Sequence, residues 1–574
     1  MLPDWRQSMM QMPVPKKGCF TATYPKIEWQ EVACGSPSQF PNPPRGGPRP
    51  NIVGNGNDIS VQVPVPGLLI SSAAGSFDSL TPATVTETGA WNGNATTPNA
   101  FTLQINTQFF SNPRLFPGRT CNSITLANCA WQQFIYSQNQ CSGPCVFMEY
   151  WLLGFGPTCP AGAWRHPPGD TSNCFFNSAS TGAPGITAAQ LQSTTLTGTA
   201  SAATDTVVLV TAGGTATAMA ADSVVDLSQS WTAAEWNIVG DCCNAQANFS
   251  AGTSIIPRIT LNDGSQQAPT CLAVGFTGET NNLSFGPSAP AATGAGPALL
   301  FSQSSAGGAS SNCAAASTVG DTHLDTFGGL LYDFQASGDF VLAQVDPDFV
   351  VQARQVSGAP TWPDASVNSA VATRMGKTQV AICLGQTPLN IDGKPAELDD
   401  GKSLSLPDGA DILRMGNVYT IRDQSGNTVR AEVNDTWINV AVGLGTWPVE
   451  VHGLLANAKE VNQIEASDGT VLTNPFSFEA LYHPYADSWR VQRSESLLTV
   501  CGEVKEQGIP TKPFYANNLP QDIFEKTRAR CTNAGVKEVP LLDACTLDVA
   551  VIGNDAAAKA FVGAPAPIAV GVVR

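Results

Sequence analysis

The chain has 574 residues, a net charge of −17 at pH 7 and a pI near 4.6. An acidic surface of this kind repels nucleic acid and anionic lipid, which argues against both as partners. Only 13% of residues are charged, against 53 glycines and 42 prolines, which fits a turn-rich, mainly β secreted protein of roughly two to four domains rather than a helical cytosolic enzyme.

The sixteen cysteines are an even number. The close spacings of Cys121 with Cys129, Cys141 with Cys145 and Cys159 with Cys174 suit short disulfide loops. No CxxC pairs stand at zinc spacing, and histidine occurs only four times, so disulfides in an oxidising compartment are the reading. The vicinal Cys242 and Cys243 are expected to bridge to different partners. Cys313 and Cys383 lack a near partner, which leaves an intermolecular disulfide open. No run of about 18 apolar residues is present to span a membrane. Residues 1–17 have no apolar core, so no signal peptide is visible, and a mature or truncated form of an exported protein is expected. Asn94, Asn248, Asn282 and Asn434 stand in Asn-x-Ser/Thr sequons, which permit glycosylation in a eukaryotic host.

In chain order, residues 1–58 are rich in Pro and Gly and read as an extended arm, pinned by a Cys19–Cys34 bridge. From Ile59 to residue 285 strand-like alternation recurs, with Ile59, Val61, Val63 and Val65 on one face. Residues 286–317 are mostly Pro, Ala, Gly and Ser and read as a linker, with 298–302 as the one strand candidate within it. A second β region follows over 318–489. Its opening, GDTHLDTFGGLLYDFQASGDFVL (320–342), reads as strand, turn, strand, turn, strand. Residues 490–574 read as a helical C-terminal cap. One helix starts near Asn518 and ends at Gly535, a second covers 541–552, a third covers 555–561, and Cys531 and Cys545 are placed to staple the first two.

Three strands of the first β region carry polar residues among apolar ones. In AFTLQINTQFF (100–110), Phe101, Leu103 and Ile105 share one face, and Thr102, Gln104, Asn106 and Gln108 the other. In WTAAEWNIVG (231–240), Glu235 and Asn237 oppose Ala234, Trp236 and Ile238. In VFMEYWLLGF (146–155), Glu149 stands alone between large apolar neighbours. A sandwich with a wet outer sheet accounts for this pattern, with Gln104 and Glu235 facing solvent. The order of the segments also resembles the glutamic peptidase (eqolisin) family, through Trp91 in GAWNGN, Gln104 in TLQINTQFF, Glu149 in FMEYW and Glu235 in AEWNIVGD, followed by ANFSAGTSI at 247–255. The resemblance spans about residues 60–285. It implies an antiparallel jelly-roll β-sandwich with Gln104 and Glu235 as the catalytic pair and Trp91 and Glu149 as substrate-binding groups. A carboxylate can take a proton from water as it attacks a peptide carbonyl, while a neutral amide donates to the oxyanion. No metal or cofactor is required for that chemistry. The residues after Gln104 and after Trp236 depart from the family pattern.

The second β region resembles a von Willebrand factor type D domain over about 318–480, through GDTHLDTFGGLLYDF, VNSAVATRMG (367–376) and GLLANAKEVNQIEASDGTVL (453–472). The family carries a calcium loop in the last segment. Here Asp321, Asn457, Asn462 and Glu465 are the candidate oxygen ligands for calcium, with Lys459 opposing a cation. His323 reads as a packed structural histidine. Asp321 is followed by Thr322 rather than proline, so the slow Asp-Pro cleavage of some relatives is not expected. His166 reads as a surface-loop residue.

Two functions follow. One is a secreted structural or adhesive protein that binds extracellular matrix, glycan or another protein, or that self-assembles. The other is a secreted acid endopeptidase of the glutamic type.

Overall fold

The computed structural model describes residues 2–14, 17–45, 59–81, 84–88, 97–123, 125–285, 291–293, 297–305, 313–359, 362–503, 508–564 and 566–574. The chain divides into two compact units, one built from residues 1–286 with 290–313 and the other from 314–574 with 287–289. Both are mainly β, as the sequence implies.

The first unit is a sandwich of two antiparallel sheets. The inner sheet runs Thr181–Gly182, Cys145–Leu153, Cys129–Ser137, Thr102–Thr107, Ala233–Val239, Ser60–Gln62 and Thr270–Leu272, with Cys174–Asn177 also paired to Cys145–Leu153. The outer sheet runs Ser254–Asn262, Ser72–Leu80, Thr195–Ala200, Thr204–Val210, Gly214–Ala221, Cys19–Thr23 and Gln30–Val32. Glycines let the two sheets approach. A Cβ on Gly75 would meet the Trp236 ring, and one on Gly198 would meet Phe134. Leu103, Ile105, Phe134 and Trp236 fill that interface, and the Trp236 indole N–H donates across it to Ser76 O at 3.1 Å.

The N-terminal arm is not wholly extended. Leu2–Gln11 is a helix that buries Trp5 and Met9, and Cys19–Thr23 and Gln30–Val32 complete one edge of the outer sheet. The expected Cys19–Cys34 bridge is formed. The Ala/Gly/Ser/Pro stretch read as a linker also differs from that reading. Ala298–Leu300 and Gln303–Ser304 pair with Ser254–Asn262, and Ala291–Thr293 pairs with Ala298–Leu300. Small residues that look like linker by composition fit an edge strand because its backbone hydrogen bonds do not depend on side-chain bulk.

In the second unit, one sheet runs Ser403–Ser405, Asp411–Met415, Val418–Arg422, Thr428–Val433, Ile438–Leu444, Ala314–Val319, His323–Asp325, Leu330–Asp333 and Ala569–Val570. Another runs Gly338–Asp346, Phe349–Ala359, Trp362–Met375, Thr378–Cys383, Leu389–Ile391 and Lys394–Pro395. Leu324, Tyr332, Phe334, Phe340, Val442 and Leu454 lie in their common core. The strands expected in 320–342 form as His323–Asp325, Leu330–Asp333 and Gly338–Asp346. The C-terminal helices Gln521–Ala534 and Val539–Ile552 and the 3-10 turn Asp555–Phe561 fall where the caps and breakers place them.

All sixteen cysteines pair, and none is free. The three short loops and Cys531–Cys545 close as expected. Two expectations are corrected. Cys242 and Cys243 bond to each other rather than to separate partners. Cys313 bonds to Cys271 and Cys383 to Cys501, so neither supplies an intermolecular link. In both cases folding brings together cysteines that lie 42 and 118 residues apart, which sequence spacing does not reveal.

Candidate functional site

Antiparallel register places directly opposed residues on the same face of a sheet. On the inner sheet this sets up one cross-strand row: Asn177 opposite Glu149, Glu149 opposite Gln133, Gln133 opposite Asn106, Asn106 opposite Glu235, and Glu235 opposite Ser60. Gln104 lies in the next row, beside Asn237 and Ile135. The register therefore places Gln104, Glu149 and Glu235 on one face.

That face is not wet. Gln104 and Glu235 are each 1% exposed and Glu149 is fully buried, so the solvent-facing expectation is corrected. Two segments cover the row. The first is the arm at residues 36–45. Asn42 is the only residue of Pro41-Asn42-Pro43-Pro44 with a backbone N–H, and that N–H donates to Glu149 Oε1 at 2.7 Å. The Asn42 side chain accepts from Gln104 Nε2 at 3.4 Å and from Gln140 Nε2 at 2.9 Å. Ser38 and Phe40 carbonyls accept from Asn177 Nδ2. The second is the segment after Thr270–Leu272, where the Phe276 and Thr277 N–H groups donate to Glu235 Oε2 at 2.9 and 3.3 Å. Pro44 and Thr277 form a β-bridge, so the two covering segments meet.

Asn106 links the two expected catalytic groups. Its Nδ2 lies 2.9 Å from Glu235 Oε2 and 3.2 Å from Gln104 Oε1. Gln104 also accepts from Gln133 Nε2 at 3.2 Å and donates to Thr102 Oγ1 at 2.8 Å. The amides of Asn106 and Gln133 thus knit the site together. Alternation in 100–110 marked Asn106 as part of a polar face but not as a link, and Gln133, in Trp-Gln-Gln-Phe, carried no such pattern. Trp91 lies outside the described residues.

Glu149 differs from Glu235 in its surroundings. Trp151 Nε1 and Asn42 N both donate to its Oε1, while its Oε2 and the Asn177 Oδ1 opposite it have no hydrogen-bond partner. Burial pushes its carboxyl up to about 8, against the opposing effect of the Asn42 and Trp151 hydrogen bonds. Across the sheet, burial likewise pushes Asp205 up to about 8, despite a hydrogen bond from Gln132 Nε2.

These two groups set a pH dependence. Below about pH 4 each is protonated in the folded and the unfolded chain alike. Between their ordinary values, 4.5 and 3.8, and about 8, the folded chain holds protons that the unfolded chain has lost. Their contribution to stability is therefore full in acid and is lost as pH rises through about 8. The melting temperature of the first unit is expected to fall between pH 5 and pH 8, and Glu149→Gln, which keeps a neutral hydrogen-bonding group, is expected to make that fall shallower. Scanning calorimetry of both proteins across this range checks it; parallel curves would remove Glu149 as a source.

The calcium candidates of the second unit are not gathered into one constellation. Asn457 Oδ1 accepts from Gly328 N at 2.7 Å and its Nδ2 donates to Val461 O, so its side chain braces the turn after Thr326. Asn462 accepts a backbone bond from Asn474, and Glu465 is exposed. Asp321 is fully buried in a different cluster, with His323, Asp333 and Asp548. His166 holds the Asn173 carbonyl at 2.7 Å in a surface loop, and the neighbouring sulfurs of Cys159 and Cys174 are bonded to each other. Among the sequons, Asn94 lies outside the described residues. Asn282 uses both ends of its amide on the Phe249 backbone.

No family model matches the chain, and no curated protein matches it. Among solved structures, the crystal structure of the LG1-3 region of the laminin alpha2 chain aligns at 7% identity with a TM-score of 0.11, over 67% of this chain and 60% of that one. So slight an overlap carries no argument. The class of the protein rests on its own sheets and cystines: a disulfide-rich, mainly β protein of two units, with no described helix long and apolar enough to cross a membrane.

Proposed function

We propose that the chain is a secreted structural or adhesive protein that acts through its surfaces, by binding extracellular matrix, glycan or another protein, or by self-assembly. One observation carries this reading: the Pro41-Asn42-Pro43-Pro44 arm is seated on the polar row and takes the hydrogen-bonding capacity of Glu149 and Gln104 that a substrate would need. A row engaged by the chain's own arm, through the Asn42 backbone at Glu149 and the Asn42 side chain at Gln104, supports a folded core rather than an open cleft. Eight disulfides with no free thiol support an oxidising, extracellular setting.

The contact chain Gln104–Asn106–Glu235 favours a second reading, an acid endopeptidase held latent under the arm. In it Glu235 is the general base, Gln104 the oxyanion donor, and Glu149 and Trp91 line the substrate site.

Incubation of an unfolded protein substrate with the full chain over pH 2–7, beside Glu235→Gln, separates the two. The expected result is no cleavage by either, together with saturable binding to an immobilised matrix protein or glycan, or concentration-dependent assembly by sedimentation. Cleavage in acid that disappears in Glu235→Gln would replace the adhesive reading with the peptidase.

A further inference from the structure

We propose that Asp321, His323 and Asp548 form a binding site for one divalent transition-metal ion of the zinc class, with Asp333 as the group that orients the histidine. The three residues come from separate elements of the second unit. Asp321 sits in the turn between Ala314–Val319 and His323–Asp325, His323 opens the next strand, and Asp548 projects from the helix Val539–Ile552. One donor atom from each lies within 4.8 Å of the others, and all three residues are buried.

The geometry of the histidine points to an ion. Its Nδ1 lies 2.5 Å from Asp333 Oδ1, across the strand pair in which the two residues are in register. A metal-bound imidazole characteristically donates its other ring N–H to a carboxylate, which leaves the metal-facing nitrogen with a lone pair. That nitrogen, Nε2, lies 2.7 Å from Asp321 Oδ1 and 3.3 Å from Asp548 Oδ1. Nε2 makes no hydrogen bond to either oxygen, and both Asp321 oxygens are buried without a hydrogen-bond partner. Zinc bonds to imidazole nitrogen and carboxylate oxygen are about 2.0–2.1 Å, and donors on a tetrahedral ion then stand about 3.3 Å apart. The Asp548 separation of 3.3 Å matches that spacing, and Asp321 at 2.7 Å would move outward on binding.

Charge supports the same conclusion. Three carboxylates surround one imidazole, and among the described residues no lysine or arginine pairs with any of them. Asp321 and Asp548 are fully buried, and a cation held between them would compensate their charge. The chain also accepts unusual backbone to bring the helix in. Gly320 has φ +58 and Thr322 φ +63, and a Cβ on Gly320 would stand 1.6 Å from Asp548 Oδ2. Asp548 Oδ1 additionally accepts the Asp321 N–H at 2.7 Å, which fixes the helix against the turn. A cleft of about 500 Å³ reaches His323 and Asp333 beside the cluster, with Tyr515, Phe524, Arg528 and Leu547 on its walls. One nitrogen and few oxygens suit zinc, manganese or cobalt rather than calcium, which takes six to eight oxygens.

The test uses the full chain purified without a metal-affinity step. Elemental analysis is expected to find about one zinc-class ion per chain. The apo protein is expected to bind Co²⁺ with visible d–d bands and to melt at a higher temperature when Zn²⁺ is added. Asp548→Asn and His323→Ala are expected to lose the bands and the shift. If a variant does not fold, chelator-induced destabilisation and Co²⁺ titration of the wild type still decide the matter. A wild-type protein that is folded without metal and gives neither Co²⁺ bands nor a melting shift with Zn²⁺ or Mn²⁺ overturns the proposal and makes the cluster an imidazolium held by carboxylates. Stabilisation by Ca²⁺ alone, unchanged in Asp548→Asn, overturns it equally.

Discussion

Replacing Gly75 by alanine is expected to destabilise the first unit by more than about 3 kcal/mol, above the usual range of about 1–3 kcal/mol for overpacking a core. Gly75 lies on Ser72–Leu80, directly over the Trp236 indole. An added Cβ would stand 1.9 Å from Trp236 Cδ2 and 2.3 and 2.4 Å from two further ring atoms. Three restraints keep the ring from yielding. Its N–H is held by Ser76 O, the Phe77 ring packs on it at 5.3 Å between centroids, and the residue is fully buried. The sheets must therefore separate, or the strand must move with its ladder. Gly198→Ala is expected to act in the same direction with a smaller effect, since its Cβ would meet Phe134 at 2.5 Å. Gly143→Ala is the control, because it would meet nothing within 4 Å. Equilibrium denaturation of the three variants measures the order. If Gly75→Ala cost no more than Gly143→Ala, the close approach of the sheets would be wrong.

Removing the Cys383–Cys501 bridge as Cys383→Ala with Cys501→Ala is expected to destabilise the second unit by about 4–5 kcal/mol, the loop-entropy value for a closure of this length. The bridge spans 118 residues and joins the end of Thr378–Cys383 to the turn Thr499–Cys501. Removing Cys531–Cys545, which spans 14 residues, is expected to cost about 3 kcal/mol by the same argument. The native contacts around Cys501 persist without the bond. Arg354 pairs with Asp339 at 2.7 Å and also donates to the carbonyls of Leu498, Cys501 and Gly502, while Leu497 and Leu498 pack against Val350 and Ala370. The loss should thus appear as a shifted denaturation midpoint with the folded spectrum unchanged. Equal losses for the two bridges would show that loop length does not govern them here.

Much of the local structure was legible in the residues. Alternation over 100–110 and 231–240, and an apolar run broken by one carboxylate over 146–155, marked three strands of the inner sheet. Proline and glycine at fixed offsets placed the C-terminal helices. The facing of Gln104 and Glu235 within their strands also followed from alternation, while the register of the folded strands places Glu149 on the same face. What covers them did not follow. A proline-rich arm reads as solvent-exposed chain, and only the folded structure shows Asn42 seated on Glu149 and Gln104. Asp548 was missed for a related reason. It lies in LLDACTLDVAVI, where a carboxylate between Leu547 and Val549 was the available signal, but its partners Asp321 and His323 are more than 200 residues away.

By itself the sequence determined the β class, the short disulfide loops and the strands that carry the polar residues, because each depends on composition or on spacing along a few residues. The tertiary structure alone decided which cysteines met across long loops, which face of the inner sheet was covered, and which carboxylates gathered around His323. Those outcomes depend on contacts between residues far apart in the chain, where closure of the fold rather than local periodicity sets the neighbours.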